Sequence, residues 1–203
     1  ALEVNEIKVF DKRIPLNFNG FRIAQLSDFH NTTLGKENNE LIEQLKEAKP
    51  NIIVITGDFI DSRMTDVDKA ISLILKIKDI APIYYVTGNH ESRIKDEYDL
   101  LEKSFHELGV NILRNDNKII EIKQDKIQIS GIDDPTMYQD KNDYATDLYY
   151  LNNQNVYTIL LSHRPEYFDI YEEYGYPLVL CGHAHGGQIR LPFIGGILAP
   201  GQG

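Results

Sequence analysis

The chain has 203 residues, 42% hydrophobic and 26% charged, the balance of an ordinary globular domain. A net charge of −10 argues against a broad nucleic-acid-binding face, and it would repel an anionic substrate unless bound cations reverse the local field. The single Cys181 excludes an internal disulfide, and no apolar run approaches the ~20 residues of a membrane span.

Residues 6–10 (Glu-Ile-Lys-Val-Phe) alternate polar and apolar side chains, as a half-buried strand does. A second strand is read over 21–26, then a polar loop over 31–36 that contains Gly35. Leu41, Ile42, Leu45 and Ala48 recur at helical spacing over 40–49, with Asn38 or Asn39 as the cap and Pro50 as the stop. The β-branched run 51–56 predicts a strand covered on both faces. Asp66 caps a helix with Val67, Ala70, Ile71, Ile74 and Leu75 on one side. A strand over 82–87 follows, then a helix over 99–108 with Leu100, Leu101, Phe105 and Leu108 turned inward and Gly109 at its end.

The pattern then changes to short alternating runs at 110–113, 118–122 and 126–130, which read as hairpins. Residues 133–155 are polar and tyrosine-rich, and read as a long loop or helical insert near the site, with packing favoured over a substrate wall for the tyrosines. A buried strand over 156–162, a helix opened by Pro165 and closed by Gly175, and a strand over 177–181 complete the run, and the chain leaves through 188–191. The first half is β-α-β-α-β, and open α/β sheets bind ligands at the carboxyl ends of their strands. The hairpins predict a second sheet packed face to face on the first, with helices outside. Residues 1–203 read as one domain whose C-terminal part is expected to be absent, because the chain stops in a glycine-rich stretch. It opens on Ala1, so the address is left open: cytoplasmic, or exported or membrane-associated if an N-terminal segment has been removed.

Five segments carry the chemistry: Ser27-Asp28-Phe29-His30, Thr56-Gly57-Asp58, Thr87-Gly88-Asn89-His90-Glu91, Leu161-Ser162-His163 and Gly182-His183-Ala184-His185-Gly186-Gly187-Gln188. Each sets Asp, Asn or His at the end of a strand-like run, and five of the six histidines lie within them. Such oxygen and imidazole donors suit borderline divalent ions such as Mn, Fe, Zn or Co, and the lack of a thiolate set argues against a Cys-rich structural zinc site. The donors outnumber what one tetrahedral ion takes. Two ions about 3.5–4 Å apart, sharing a carboxylate, fit better. Asp58, central in chain order, is the natural bridge. Taken singly, a Gly-Asp is usually a turn and a lone histidine a satisfied polar residue; the joint pattern outweighs that reading. Of the neighbours, Arg164 is a candidate contact for a substrate phosphate and Glu91 reads as a cap for the helix after it. His106 borders a core face, Cys181 is a small buried residue, and Asp61 and Asp133 receive no role.

Together these motifs resemble the calcineurin-like metallophosphoesterase superfamily, and the form around Gly182 to Gln188 is similar to its bacterial YkuE- and YaeI-like branch. The resemblance runs from about Phe21 to Gln188. It implies a four-layer α/β/β/α sandwich of two mixed sheets with a dinuclear centre. Carried over residue by residue, it gives Asp28, His30 and His185 to one ion, Asn89, His163 and His183 to the other, Asp58 to both, and the catalytic role to His90. Relatives usually continue past the Gly-His-x-His turn. The expected activity is hydrolysis of a phosphate mono- or diester by a hydroxide shared between two divalent ions, Mn, Fe or Zn. The alternative is cleavage of a phospholipid or nucleotide-lipid pyrophosphate. A non-catalytic scaffold ranks below both, because such relatives lose ligands and this sequence keeps them. The expected partner is a phosphorylated small molecule or lipid, with peripheral membrane association in the lipid case.

Overall fold

The computed structural model describes residues 4–33 and 36–183. Four parallel strands, β1 (Ile23–Leu26), β2 (Ile52–Thr56), β3 (Ile83–Val86) and β4 (Asn111–Ile112), form one sheet in that order. The helices α1 (Asn39–Ala48), α2 (Val67–Ile77) and α3 (Lys95–Glu107) cross between them. The second sheet runs β5 (Asp116–Ile122), β6 (Asp125–Gly131), β7 (Tyr157–Ser162) and β8 (Leu178–Cys181). Its β5–β6 pair is an antiparallel hairpin, and the β6–β7 and β7–β8 pairs are parallel, joined through α4 (Lys141–Leu151) and α5 (Phe168–Glu173).

The period of two along each strand builds the layers. In β2, Ile53 and Ile55 face the helices α1 to α3, while Ile52 and Val54 face the other sheet. In β7, Tyr157, Ile159 and Leu161 meet them there, and Leu160 turns outward to Tyr144, Leu148, Tyr171 and Tyr176. Three apolar seams therefore separate four layers, α/β/β/α, as expected. Of the two sheets, only the second is mixed; the first is wholly parallel among the described residues.

Several boundaries differ from the sequence reading. Residues 6–10 pair with no strand among the described residues: Val9 packs on the seam between the sheets and Phe10 stands 87% exposed. The buried stripe of α2 is Ala70, Leu73, Ile74 and Ile77, so Leu75 faces solvent at 49% exposure. Asp66 does cap that helix, accepting from the Lys69 amide at 3.1 Å. The α3 helix begins at Lys95, four residues early, since Asp96 and Glu97 suit the positive end of its dipole and Tyr98 adds a buried side chain. Leu100, expected inward, is 54% exposed, and His106 is exposed in the last turn. The segment 133–155 is no loose insert: after a 3₁₀ turn (Pro135–Met137) it forms α4, whose Tyr144, Leu148 and Leu151 cover the second sheet. Its tyrosines divide, Tyr144 packing in the core and Tyr149 and Tyr150 lying exposed.

Phe105, fully buried, meets Phe59 and Tyr85 edge-to-face with ring centroids 5.8 and 5.3 Å away. Phe105→Ala is expected to cost about 3–5 kcal/mol in urea denaturation. Leu100→Ala, on the solvent side of the same helix, should stay within about 0.5 kcal/mol; equal losses would mean that α3 buries the other face.

Candidate metal centre

Parallel strands deliver their carboxyl ends to one edge. There the loops after β1, β2, β3, β7 and β8 carry Asp28 and His30, Asp58, Asn89 and His90, His163, and His183 respectively. The first two loops lie side by side: the Asp28 amide donates to the Gly57 carbonyl at 3.2 Å and the His30 amide to the Asp58 carbonyl at 3.1 Å. Asp28, His30, Asp58 and His183 all adopt left-handed backbone, with φ of 53°, 48°, 50° and 65°. That conformation is uncommon outside glycine and gathers where structure is held for function. Close approach also demands glycine at 88, since a Cβ there would collide with the Asp58 carboxylate.

Asp58 is the focus. Its Oδ2 lies 3.2 Å from His163 Nε2, 3.8 Å from His30 Nε2 and 3.9 Å from His90 Nε2. Asp28 Oδ1 is 3.9 Å from His30 Nε2, and its Oδ2 accepts from Ser27 Oγ (2.6 Å) and from the His183 amide (3.0 Å). The ring of His183 meets that of His163, Nδ1 to Nε2, at 3.1 Å. His163 Nδ1 donates to the Thr56 carbonyl at 2.8 Å, which turns Nε2 toward Asp58. The Ser62 amide donates to His90 Nδ1 at 2.9 Å, so the proton of neutral His90 sits on Nε2, the nitrogen facing Asp58.

The electrostatics follow from burial and pairing. Burial pushes the Asp58 carboxyl up, but the hydrogen bond and charge of His163, with the His90 amide, bring it down to about 2. Burial pulls His163 down, and Asp58 more than reverses it. Burial, opposed by Asp58, holds His90 below the usual imidazole range. His183 is lowered by burial and by the Arg164 charge.

The donor set fits divalent cations. Asp28, His30 and Asp58 bring ligand atoms within 4.8 Å of one another, and so do Asp58, His163 and His183. Asp28 Oδ1 and Asn89 Oδ1 are buried acceptors without a hydrogen-bond partner among the described residues, and a buried oxygen left unpaired is costly unless something binds it. Asn89 shares the edge with the others at 5% exposure. His185 lies outside the described residues.

Three residues near the motifs have contacts other than those the sequence suggested. Glu91 is no helix cap: its carboxylate, 1% exposed, turns back to accept from the amides of Asp58 (3.0 Å), Phe59 (2.8 Å) and Gly88 (2.9 Å), tying the loop after β2 to the loop after β3. Burial and the Asp58 charge push its carboxyl up to about 7, against those amides. Asp61 Oδ1 lies 3.5 Å from His90 Nδ1, and the trio His30, Asp61 and His90 also brings ligand atoms within 4.8 Å of one another. Arg164, read as a phosphate contact, is engaged by Asp134 (2.6 Å), Glu166 (3.2 Å) and His183 Nε2 (3.1 Å). The sequence signal for these was position alone: Glu91 stands inside a motif, Asp61 three residues after one and Arg164 directly beside one.

Two packed sheets with clustered carboxylates and imidazoles at their shared edge make a candidate metal site. The calcineurin-like phosphoesterase family matches residues 21–187, so the chain belongs to that family. It is 32% identical to YkuE of Bacillus subtilis, an uncharacterized metallophosphoesterase, over 100% of this chain and 71% of that protein. It is 27% identical to the phosphodiesterase YaeI of Escherichia coli, over 89% of this chain and 66% of that protein. An uncharacterized metallophosphoesterase of Campylobacter jejuni is 34% identical over 96% of this chain, which spans about half, 51%, of its length. Among solved structures, the phosphopantetheinyl hydrolase PptH of Mycobacterium tuberculosis superposes with TM-score 0.60 at 16% identity, covering 85% of this chain and 86% of that one. That likeness establishes the shared fold.

Glu91→Gln places amide hydrogens against backbone donors. It is expected to destabilise the fold by about 1–3 kcal/mol, read as a lower urea midpoint. An unchanged midpoint would show that the two loops hold without that carboxylate.

Proposed function

We propose that the chain is a hydrolase of phosphate esters that works with two divalent cations sharing Asp58. What supports this reading above all is that one buried carboxylate belongs to two ligand groups, Asp28–His30–Asp58 and Asp58–His163–His183. Asn89 would complete the second group through its amide oxygen, and His185 the first. A cation pair bound there would supply Lewis acidity and a water acidic enough to attack phosphorus near neutral pH. The chain's own groups do the rest. His90 holds a proton on Nε2, facing the site, where it can stabilise a phosphoryl oxygen or protonate the departing one. Ser62 fixes that tautomer, and the strands anchor the loops that carry the donors.

The cations would also reverse the local field of a chain of net charge −10, which an anionic substrate must otherwise overcome. A phosphodiester is the first substrate to try, since YaeI carries the name phosphodiesterase. Phosphorylated lipids follow as the second class. Mn, Fe and Zn are the metals to test.

The experiment is elemental analysis of the purified chain beside a panel of aryl mono- and diesters and a pyrophosphate. Two ions per chain and chelator-sensitive turnover are expected; metal-independent turnover, or none with both ions bound, overturns the reading. Two variants separate the roles. Asp58→Asn should lower the content of both ions, and loss of a single ion would count against a shared ligand. His90→Ala should retain the metals while turnover falls roughly 10²–10⁴-fold; unimpaired turnover would remove His90 from the chemistry.

A further inference from the structure

Of the six described arginines, four engage a protein oxygen through a terminal guanidinium nitrogen: Arg13 on Asp11, Arg22 on the Ala48 carbonyl, Arg114 on Glu102 and Arg164 on Asp134. Arg63 and Arg93 have no acceptor at Nη1 or Nη2 among the described residues, and both stand beside His90. Arg63 lies in the loop after β2. Its amide donates to Asp61 Oδ1 at 2.8 Å, and its Nε approaches the same oxygen at 3.5 Å. That oxygen is 3.5 Å from His90 Nδ1, so the guanidinium lies two contacts from the ring. The loop is braced at both ends: Thr65 Oγ1 donates to the Asp61 carbonyl at 3.2 Å, and Asn31 Nδ2 to the Met64 carbonyl at 2.8 Å. Beyond Nε the side chain of Arg63 is open to water, 80% exposed. Arg93 closes the 3₁₀ turn Glu91–Arg93 after β3, where its amide donates to the His90 carbonyl at 3.1 Å and its side chain is exposed. Burial is the main cause that lowers His90, and the Arg93 charge adds to it, so that charge reaches the ring.

The two nitrogens of His90 look different ways. Nε2 faces Asp58, whereas Nδ1 faces Ser62 and Asp61. A phosphate held at Asp58 and Nε2 therefore leaves Arg63 on the far side of the imidazole, out of line with the bond to be cut and one linkage further out. We propose that Arg63 and Arg93 form a subsite for a second phosphate, bonded directly to the one that is cleaved, so that the substrate class is a diphosphate ester. The proposal rests on the hydrolase reading above and narrows it. Guanidinium forks match the paired oxygens of a phosphate better than an ammonium does. The Asp61 carboxylate between them already accepts from the Arg63 amide, so its charge is partly met before an anion arrives. In a chain of net charge −10, two unengaged cations beside one imidazole give the substrate's outer phosphate a place that the rest of the surface does not offer.

The test is isothermal titration calorimetry of the Mn²⁺-loaded full chain with two probes that resist hydrolysis. One is α,β-methylene-ADP, which carries two phosphorus groups; the other is the methylene phosphonate analogue of AMP, which carries one. The unaltered chain should bind the first about 100-fold more tightly, and Arg63→Gln and Arg93→Gln should each remove about 10-fold of that preference. The double variant should bind both probes alike, and every variant should hold the one-phosphorus probe as the unaltered chain does. Both positions are on the surface, so the variants should fold as the unaltered chain does. Lys126→Gln removes an exposed cation at the start of β6, the opposite end of the second sheet from His163, and should change neither affinity. Equal affinity for the two probes in the unaltered chain overturns the inference. So does a preference that either single variant leaves intact, or one that Lys126→Gln weakens as much. If neither probe binds the unaltered chain, the phosphate-ester reading itself fails.

Discussion

The contact on which the structure turns is that between the Asp58 carboxylate and the His163 imidazole, 3.2 Å apart and almost wholly shielded from water. A buried anion is costly unless partners meet it. Here the partners are His163 Nε2 at one oxygen and the His90 amide, at 2.9 Å, at the other. Asp58 donates its own amide to Glu91, so two carboxylates lie close together behind one loop. His163 holds the Asp58 carboxyl down, while burial and the Asp58 charge push the Glu91 carboxyl up. Backbone amides aimed at Glu91 oppose that rise and tie the two loops together without any exposed side chain.

The layers exist to bring those loops together. Each parallel crossover returns the chain to the same end of its sheet, so every β-to-α turn opens on one edge. Interdigitation of Val54 and Val86 with Ile129 and Leu161 sets the two sheets face to face and brings the ends of β2 and β7 within reach of each other. The outer helices then act through the core. Tyr171 of α5 donates to the Arg164 carbonyl at 2.8 Å and lies 2.8 Å from Ser162 Oγ, while Tyr144 of α4 lies 2.9 Å from Tyr171. This buried hydroxyl chain supports the loop that carries His163 from the far side of the sheet.

Much of the layering was legible in the sequence, because runs such as Ile52–Thr56 and Tyr157–Ser162 are apolar on both faces and bounded by turn residues. The motif residues were legible only jointly: one Gly-Asp or one histidine reads as a turn or a satisfied polar residue, but five of the six histidines stand with Asp28, Asp58 and Asn89 at strand ends. What escaped was fixed by tertiary contact. The pattern at 6–10 alternates correctly, but a strand needs a neighbour to pair with. The stripe of α2 was read one step out of phase, because Leu73 and Ile77 complete a row that Ile71 and Leu75 do not. Glu91, Asp61 and Asp134 are ordinary acidic residues until folding shows what faces them, and no local spacing marks a carboxylate that serves backbone amides or an arginine.

The amide of His183 donates to the carboxylate of Asp28 across a separation of 155 positions. During translation, the earliest of these side chains leaves the ribosome long before its counterpart has been made. No fragment ending before β8 can close that bond, whatever intermediate shape it takes. Long-range closure of this kind slows the search for the native state. Any ion gripped by both halves would therefore be captured only after β8 and the loop behind it have been made.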